Sequence, residues 1–234
     1  MVTKKSSFEQ RLHRWRRRTF ARLDSPWVCF LAWCDMLLFD HGFIRLVYSN
    51  RHQLAPGVER SSHPSPGQIA AAARRGIKTI INLRGDTPFG TYALEKRACA
   101  THHIKLIDFR MKSRQLPTRE KILAAQELFN RIEYPVLLHC KSGADRAGIM
   151  SALFCILRLE QPVEQAKQQL SMRFGHFRAA KTGVLDFFFS SFLASGESSF
   201  IHWVKTSYQP RKLEQAFRPN GWVAWYIDMV LRRE

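Results

Sequence analysis

Three short runs rich in leucine and β-branched residues, "IKTIINL" (77–83), "IKLIDF" (104–109) and "PVLLH" (135–139), lie between stretches patterned as helices. In one of these, "PTREKILAAQELFNRI", apolar residues at 122, 123, 125, 128, 129 and 132 share a single helical face. Strands separated by helices cannot pair as hairpins; they align in parallel and need cover on both faces. The pattern predicts an α/β domain with a mostly parallel central sheet covered by helices.

Other elements follow the same logic. "FIRLVY" (43–48) reads as a further strand. Ser65 as N-cap and Pro66 at the first helical position open a helix that Gly76 closes. "TYALEKRACATHH", "AGIMSALFCILRL", "PVEQAKQQLSMRF" and "TGVLDFFFSSFLA" read as helices. The chain divides into a basic amphipathic extension (1–42), the α/β domain (43–195) and a helical tail (196–234) that closes on "GWVAWYIDMVLRRE", an amphipathic helix.

Charge narrows the partners. Lys and Arg number 37 against 19 acids, a net +18 over 234 residues. Such a surface attracts anions: nucleic acid, anionic lipid headgroups or phosphorylated substrates. Residues 1–24 hold eight of the cations, and Trp15, Trp27, Phe30 and Trp33 follow or interleave with them. An interfacial helix on an anionic membrane and a helix packed on the domain are both compatible with residues 1–40. No recognisable nucleic-acid module is present, so no specific nucleic-acid partner is expected. The apolar segment 26–39 is 14 residues long and contains Asp35, too short to span a bilayer. Five irregularly spaced cysteines argue against a disulfide framework and structural zinc, and for a reducing compartment.

Chemistry concentrates in "VLLHCKSGADRAGIM" (136–150), where a strand runs into a polar loop and a helix. Successive backbone N–H groups of such a loop can form an anion nest backed by a helix N-terminus. A thiol at its base is activated as a thiolate nucleophile. Gly143 permits the tight bend. Arg146, a planar two-pronged donor, suits the oxygens of a phosphoryl group in transfer.

His139-Cys140-x-x-Gly143-x-x-Arg146-x-Gly148 resembles the H-C-x(5)-R signature of the cysteine-dependent phosphatases, the protein-tyrosine and dual-specificity superfamily. Residues 58–84 also resemble the opening of its compact bacterial members. The resemblance covers about 43–195 and implies a dual-specificity-phosphatase-like fold. Cys140 would form a cysteinyl-phosphate, while the loop of Lys141, Ser142, Gly143, Ala144, Asp145 and Arg146 would hold the phosphate. His139 and Arg84 would support the site. The resemblance implies no metal and no cofactor.

Two positions depart from or complicate the pattern. The family usually carries Ser or Thr directly after the arginine, where its hydroxyl helps the thiolate leave; here that residue is Ala147. The general acid is usually an Asp about thirty residues before the cysteine. Asp108, 32 residues before Cys140, matches by spacing but sits at a strand end. Asp145 resembles the loop Asp of phosphatases active on phosphoinositides and of related bacterial lipid-and-protein phosphatases, and Asp86 is a weaker third candidate. The expected activity is phosphomonoester hydrolysis on a phosphorylated protein. The alternative is an anionic phospholipid such as phosphatidylglycerophosphate or a phosphoinositide. The expected location is cytoplasmic, with peripheral attachment to the inner face of a membrane as the alternative.

Overall fold

The computed structural model describes residues 7–218. Helices α1 (Ser7–Thr19) and α2 (Pro26–Cys34) lead into a π-helical turn (Asp35–Phe39) and helix α3 (Gly42–Val47). Strands β1 (His52–Ala55) and β2 (Val58–Ser61) form a hairpin, followed by α4 (Pro66–Arg74), β3 (Thr79–Asn82), α5 (Gly90–Thr101), β4 (Lys105–Asp108), α6 (Arg119–Arg131) and β5 (Val136–His139). Helices α7 (Asp145–Arg158), α8 (Val163–Ala166), α9 (Val184–Ala194), α10 (Phe200–Thr206) and α11 (Pro210–Ala216) complete the described chain. The segment "GWVAWYIDMVLRRE" lies outside it.

The expected sheet is present, in the order β1-β2-β5-β3-β4, parallel throughout except for the β1–β2 pair. Every residue of β3 and β5 is buried, as a parallel sheet covered on both faces requires. Alternation splits the two cores. Ile81, Val136 and Leu138 pack with α6, α7 and α9, whereas Ile80 and Leu137 pack with α4 and α5. Continued one step, the same alternation sends His139 toward α5 and Cys140 toward α7.

Helix α4 starts as its sequence dictates: the Ser65 hydroxyl accepts from the amide of Gln68, and the Gln68 side chain returns to the Ser65 N–H. "FIRLVY" is helical, contrary to its strand-like composition. The Arg45 side chain turns inward to donate to the carbonyl of Asp40 at 2.6 Å and its carboxylate at 3.0 Å. That buried pairing overrides the β preference of Phe43, Ile44 and Val47. "PVEQAKQQLSMRF" keeps only the short α8 and then two 3₁₀ turns, Lys167–Gln169 and Met172–Phe174. Here the carbonyls of Gln169 and Phe174 are taken by Arg60 and Asn50 instead of by a helical ladder. In the C-terminal tail, Trp203 and Tyr208 are buried in the main core.

Candidate active site

In-register pairing across the sheet places Ser61, His139, Asn82 and Asp108 in one row at the C-terminal edge of four parallel strands. Ligands bind outside this edge in open α/β sheets. The loop after β5 leaves the row at Cys140, and α7 begins at Asp145.

The backs of the loop peptides are occupied. The carbonyl of Lys141 accepts from the amide of His63 at 3.2 Å, and that of Ser142 from Asn50 Nδ2 at 2.9 Å. Arg60 Nη2 donates to the carbonyls of Gly143 and Ala144 at 2.7 and 3.2 Å. With four consecutive carbonyls held from behind, the N–H groups that follow them turn to the opposite side of the loop, as an anion nest requires. Gly143 has φ 77°, and a Cβ there would sit 2.8 Å from the backbone of Ser61 and Ser62, so the bend admits only glycine. Gly148 lets α7 pack against Leu170, whose Cδ2 would lie 2.7 Å from a Cβ.

A cavity of about 230 Å3 opens over the loop, lined by Cys140, Ser142, Asp145, Arg146, Ser62 and, from the N-terminal segment, Ile44 among others. Of these, Cys140 is buried and Arg146 half-buried. The structure thus brings together Cys140, the loop 141–146 and Asp145.

The other expected residues occupy different positions. Arg84 is buried and makes a two-pronged pair with Asp40, at 2.6 and 2.7 Å. Asp40 also takes Arg45 and the Thr91 hydroxyl, with Lys141 Nζ at 3.7 Å. Burial alone would raise the Asp40 pKa, but Arg84 and Arg45 outweigh it and hold the carboxyl well below the usual range. His139 Nε2 lies 2.6 Å from Glu95 Oε1, and His63 Nε2 lies 3.0 Å from Glu95 Oε2, all three fully buried. Burial lowers the His63 pKa to about 4, so a neutral ring accepts from Arg84 at Nδ1 while Nε2 lies close to Glu95. His63, Glu95 and His139 are grouped closely enough to ligate a cation, with both imidazole Nε2 atoms facing the Glu95 carboxylate.

The acid candidates separate clearly. Asp108 is exposed and both its oxygens are engaged: Oδ1 accepts from Asn82 at 3.0 Å and Oδ2 from the Tyr92 hydroxyl at 2.5 Å. Although the residue is exposed, partial desolvation of the carboxyl raises its pKa, against those two hydrogen bonds. It is not among the cavity-lining residues. Asp86 is exposed and paired with Arg17 at 2.8 Å. Asp145 is buried, lines the cavity and accepts from His176 Nδ1 at 2.7 Å. His176 Nε2 donates onward to Asp186 at 2.6 Å, and Asp186 also binds Arg178 at 3.0 Å. Burial works to lower the His176 pKa, yet the hydrogen bonds and charges of the two aspartates prevail and raise it.

Arg60, Asn50, Ser62 and Glu95 are site-building residues that the motif does not include. Arg60 is the largest fully buried side chain; its guanidinium stacks 4.1 Å from the Phe174 ring, and burial lowers its pKa to about 10, leaving it charged at neutral pH.

A cysteine-bearing loop at the carboxyl edge of a parallel sheet, with an arginine at the start of the helix that follows, is the pattern of the cysteine-dependent phosphatase class. Comparison with known families agrees: the model for "DSP-PTPase phosphatase fused to NAD+ kinase" matches residues 58–184, over half of the chain, and the chain belongs to that family. The curated dual specificity protein phosphatase TpbA of Pseudomonas aeruginosa PAO1 is 27% identical over 113 residues, 46% of this chain and 47% of that protein. Its counterpart from strain UCBPP-PA14 matches equally, and the chain spans about half the length of these curated relatives. Among solved structures, a DUF442 protein from Shewanella putrefaciens CN-32 shares the fold at TM-score 0.50 and 17% identity, covering 64% of this chain and 95% of that one. The P. aeruginosa TpbA crystal structure aligns at TM-score 0.48 and 16% identity over 72% and 90%.

Proposed function

We propose that the chain hydrolyses phosphomonoesters through a cysteinyl-phosphate on Cys140. The observation that carries this reading is the loop whose four consecutive carbonyls are tied from behind while Cys140 and Arg146 share the cavity. Cys140 Sγ attacks phosphorus in line, and Arg146 with the loop amides neutralises the oxygens. The leaving oxygen takes its proton from Asp145, the carboxylate placed in the cavity, and Asp108 serves as a strand-end partner of Tyr92 and Asn82. Water then attacks phosphorus, giving its proton to Asp145 and releasing inorganic phosphate and the thiolate.

A phosphorylated protein is one substrate class, in keeping with the name of the curated relatives. The N-terminal segment favours an anionic phospholipid. Leu38, Phe39, Phe43, Ile44 and Val47 are exposed, Val47 at 93%, and Ile44 belongs to the cavity wall. Exposed apolar side chains on this scale mark an interaction surface, and Arg11, Arg14, Arg18 and Arg22 stand exposed on the neighbouring segment. Among the described residues no helix is long and apolar enough to cross a membrane, so this surface would dock rather than span. Phosphate release measured on tyrosine phosphopeptides and on vesicles carrying phosphatidylglycerophosphate or phosphoinositides decides between the two. Turnover of lipid well above peptide supports the lipid reading, and the reverse order removes it.

A further inference from the structure

The position after Arg146 holds Ala147, which has no hydroxyl to assist the departing thiolate. On the cysteinyl-phosphate reading, that step needs a hydrogen-bond donor from elsewhere in the fold. Parallel strands β2 and β5 pair Ser61 with His139, so the next residues, Ser62 and Cys140, leave the sheet side by side. Adjacent strands run about 4.8 Å apart, and residues in one row of a parallel pair face the same side of the sheet. Ser62 and Cys140 line the same cavity.

Ser62 is held firmly by its backbone: its N–H donates to the carbonyl of Ser49 at 2.8 Å, and its carbonyl accepts from the Ser61 hydroxyl at 2.6 Å. Its own hydroxyl is buried and has no hydrogen-bond partner among the described residues, Cys140 Sγ included. Only 2% of the residue is exposed, so bulk water does not solvate it. A buried, unpartnered donor is disfavoured and calls for a reason. We propose that Ser62 supplies the hydroxyl that Ala147 lacks, donating a hydrogen bond to Cys140 Sγ when the phosphoenzyme breaks down. As water attacks phosphorus, the S–P bond breaks and its electron pair returns to Sγ. Ser62 keeps its proton and shares it with the new thiolate, while the proton of the water goes to Asp145.

Ser151 also has a buried, unpartnered hydroxyl. It lies one turn beyond Ala147 on the same face of α7, about 6 Å further along the helix axis, and does not line the cavity. It serves as the control.

The test is pre-steady-state hydrolysis of p-nitrophenyl phosphate by the full chain. Ser62→Ala is expected to release one equivalent of p-nitrophenolate in a burst and then turn over about 10 to 100 times more slowly than the parent, the worth of one hydrogen bond to a charged group. Adding Ala147→Ser to that variant should restore turnover and abolish the burst, a rescue that a merely structural role would not give. Ser151→Ala should behave as the parent. A Ser62→Ala protein with parental turnover and no burst overturns the proposal, as does failure of Ala147→Ser to rescue it. Should Ser62→Ala not fold, Ala147→Ser alone decides: parental turnover supports the proposal, and a large acceleration refutes it, because the donor would then have been missing. A parent chain with no turnover and no labelled phosphoenzyme would instead refute the cysteinyl-phosphate reading.

Discussion

Asp145 Oδ1 accepts a hydrogen bond from His176 Nδ1 at 2.7 Å, and the other nitrogen of that ring binds Asp186 at 2.6 Å. The residue immediately before Arg146 is thereby fixed by a buried imidazole between two carboxylates. The arrangement ties the loop to the start of α9 through His176, which lies 31 residues after Asp145 and 10 before Asp186.

Assigning the acid to Asp145 gives a leaving-group test. Asp145→Asn should cost at least about 100-fold in kcat on an alkyl phosphate, whose leaving oxygen needs a proton, and far less on p-nitrophenyl phosphate. Asp108→Asn, which retains partners for Asn82 and Tyr92, should change both rates only slightly. A selective loss in Asp108→Asn would move the role to the strand end.

The His176 pKa is raised in the folded chain above its ordinary value of 6.5. A raised histidine contributes stability fully below its unfolded pKa and loses it as pH rises through the folded value. Thermal melts should therefore show stability falling above about pH 6.5 by an amount that His176→Asn removes. A parallel pH dependence in parent and variant would deny His176 this role.

Arg60 holds Gly143 and Ala144 from behind and reaches Gln169 with its other nitrogen. Arg60→Lys keeps the charge but cannot span both sites. We expect a loss of about 2–4 kcal/mol of stability, because buried carbonyls lose their donors, together with weaker binding of inorganic phosphate. Chemical denaturation and phosphate titration check this; parental values for both would show that the loop shapes itself.

The exposed apolar surface around Phe43 and Val47 makes a separate prediction. Replacing Phe43 and Val47 by serine should weaken sedimentation with anionic vesicles at least about tenfold, since each buried side chain of this size contributes about 1.5–3 kcal/mol. Hydrolysis of p-nitrophenyl phosphate should stay at the parental level. Unchanged vesicle binding would remove the membrane role of this face.

The central strands and the loop are legible in the sequence because their signals are local. Buried β-branched runs, the Ser65–Gln68 cap and the glycine required at 143 are each set within a few residues. The β1–β2 hairpin has a weaker local sign, the Pro56–Gly57 turn with Gly57 at φ 72°, because its strands have only four residues each. Helix α3 is not legible: its strand-like residues are overruled by the inward turn of Arg45 onto Asp40. The loop's supports are hidden for the same reason. Asn50 acts on Ser142 and Arg60 on Gly143 across separations of 92 and 83 residues, which no motif spacing encodes. Choosing between Asp108 and Asp145 likewise needs the Tyr92 and His176 contacts, since spacing favours the former and placement in the cavity the latter.

The central claim is that Cys140 carries the phosphoryl group, and acid quenching with a 32P-labelled aryl phosphate, followed by peptide mapping, tests it most directly. The account predicts label on the peptide containing Cys140, absent from Cys140→Ser, which should also lose all hydrolysis. Undiminished hydrolysis by Cys140→Ser would contradict it.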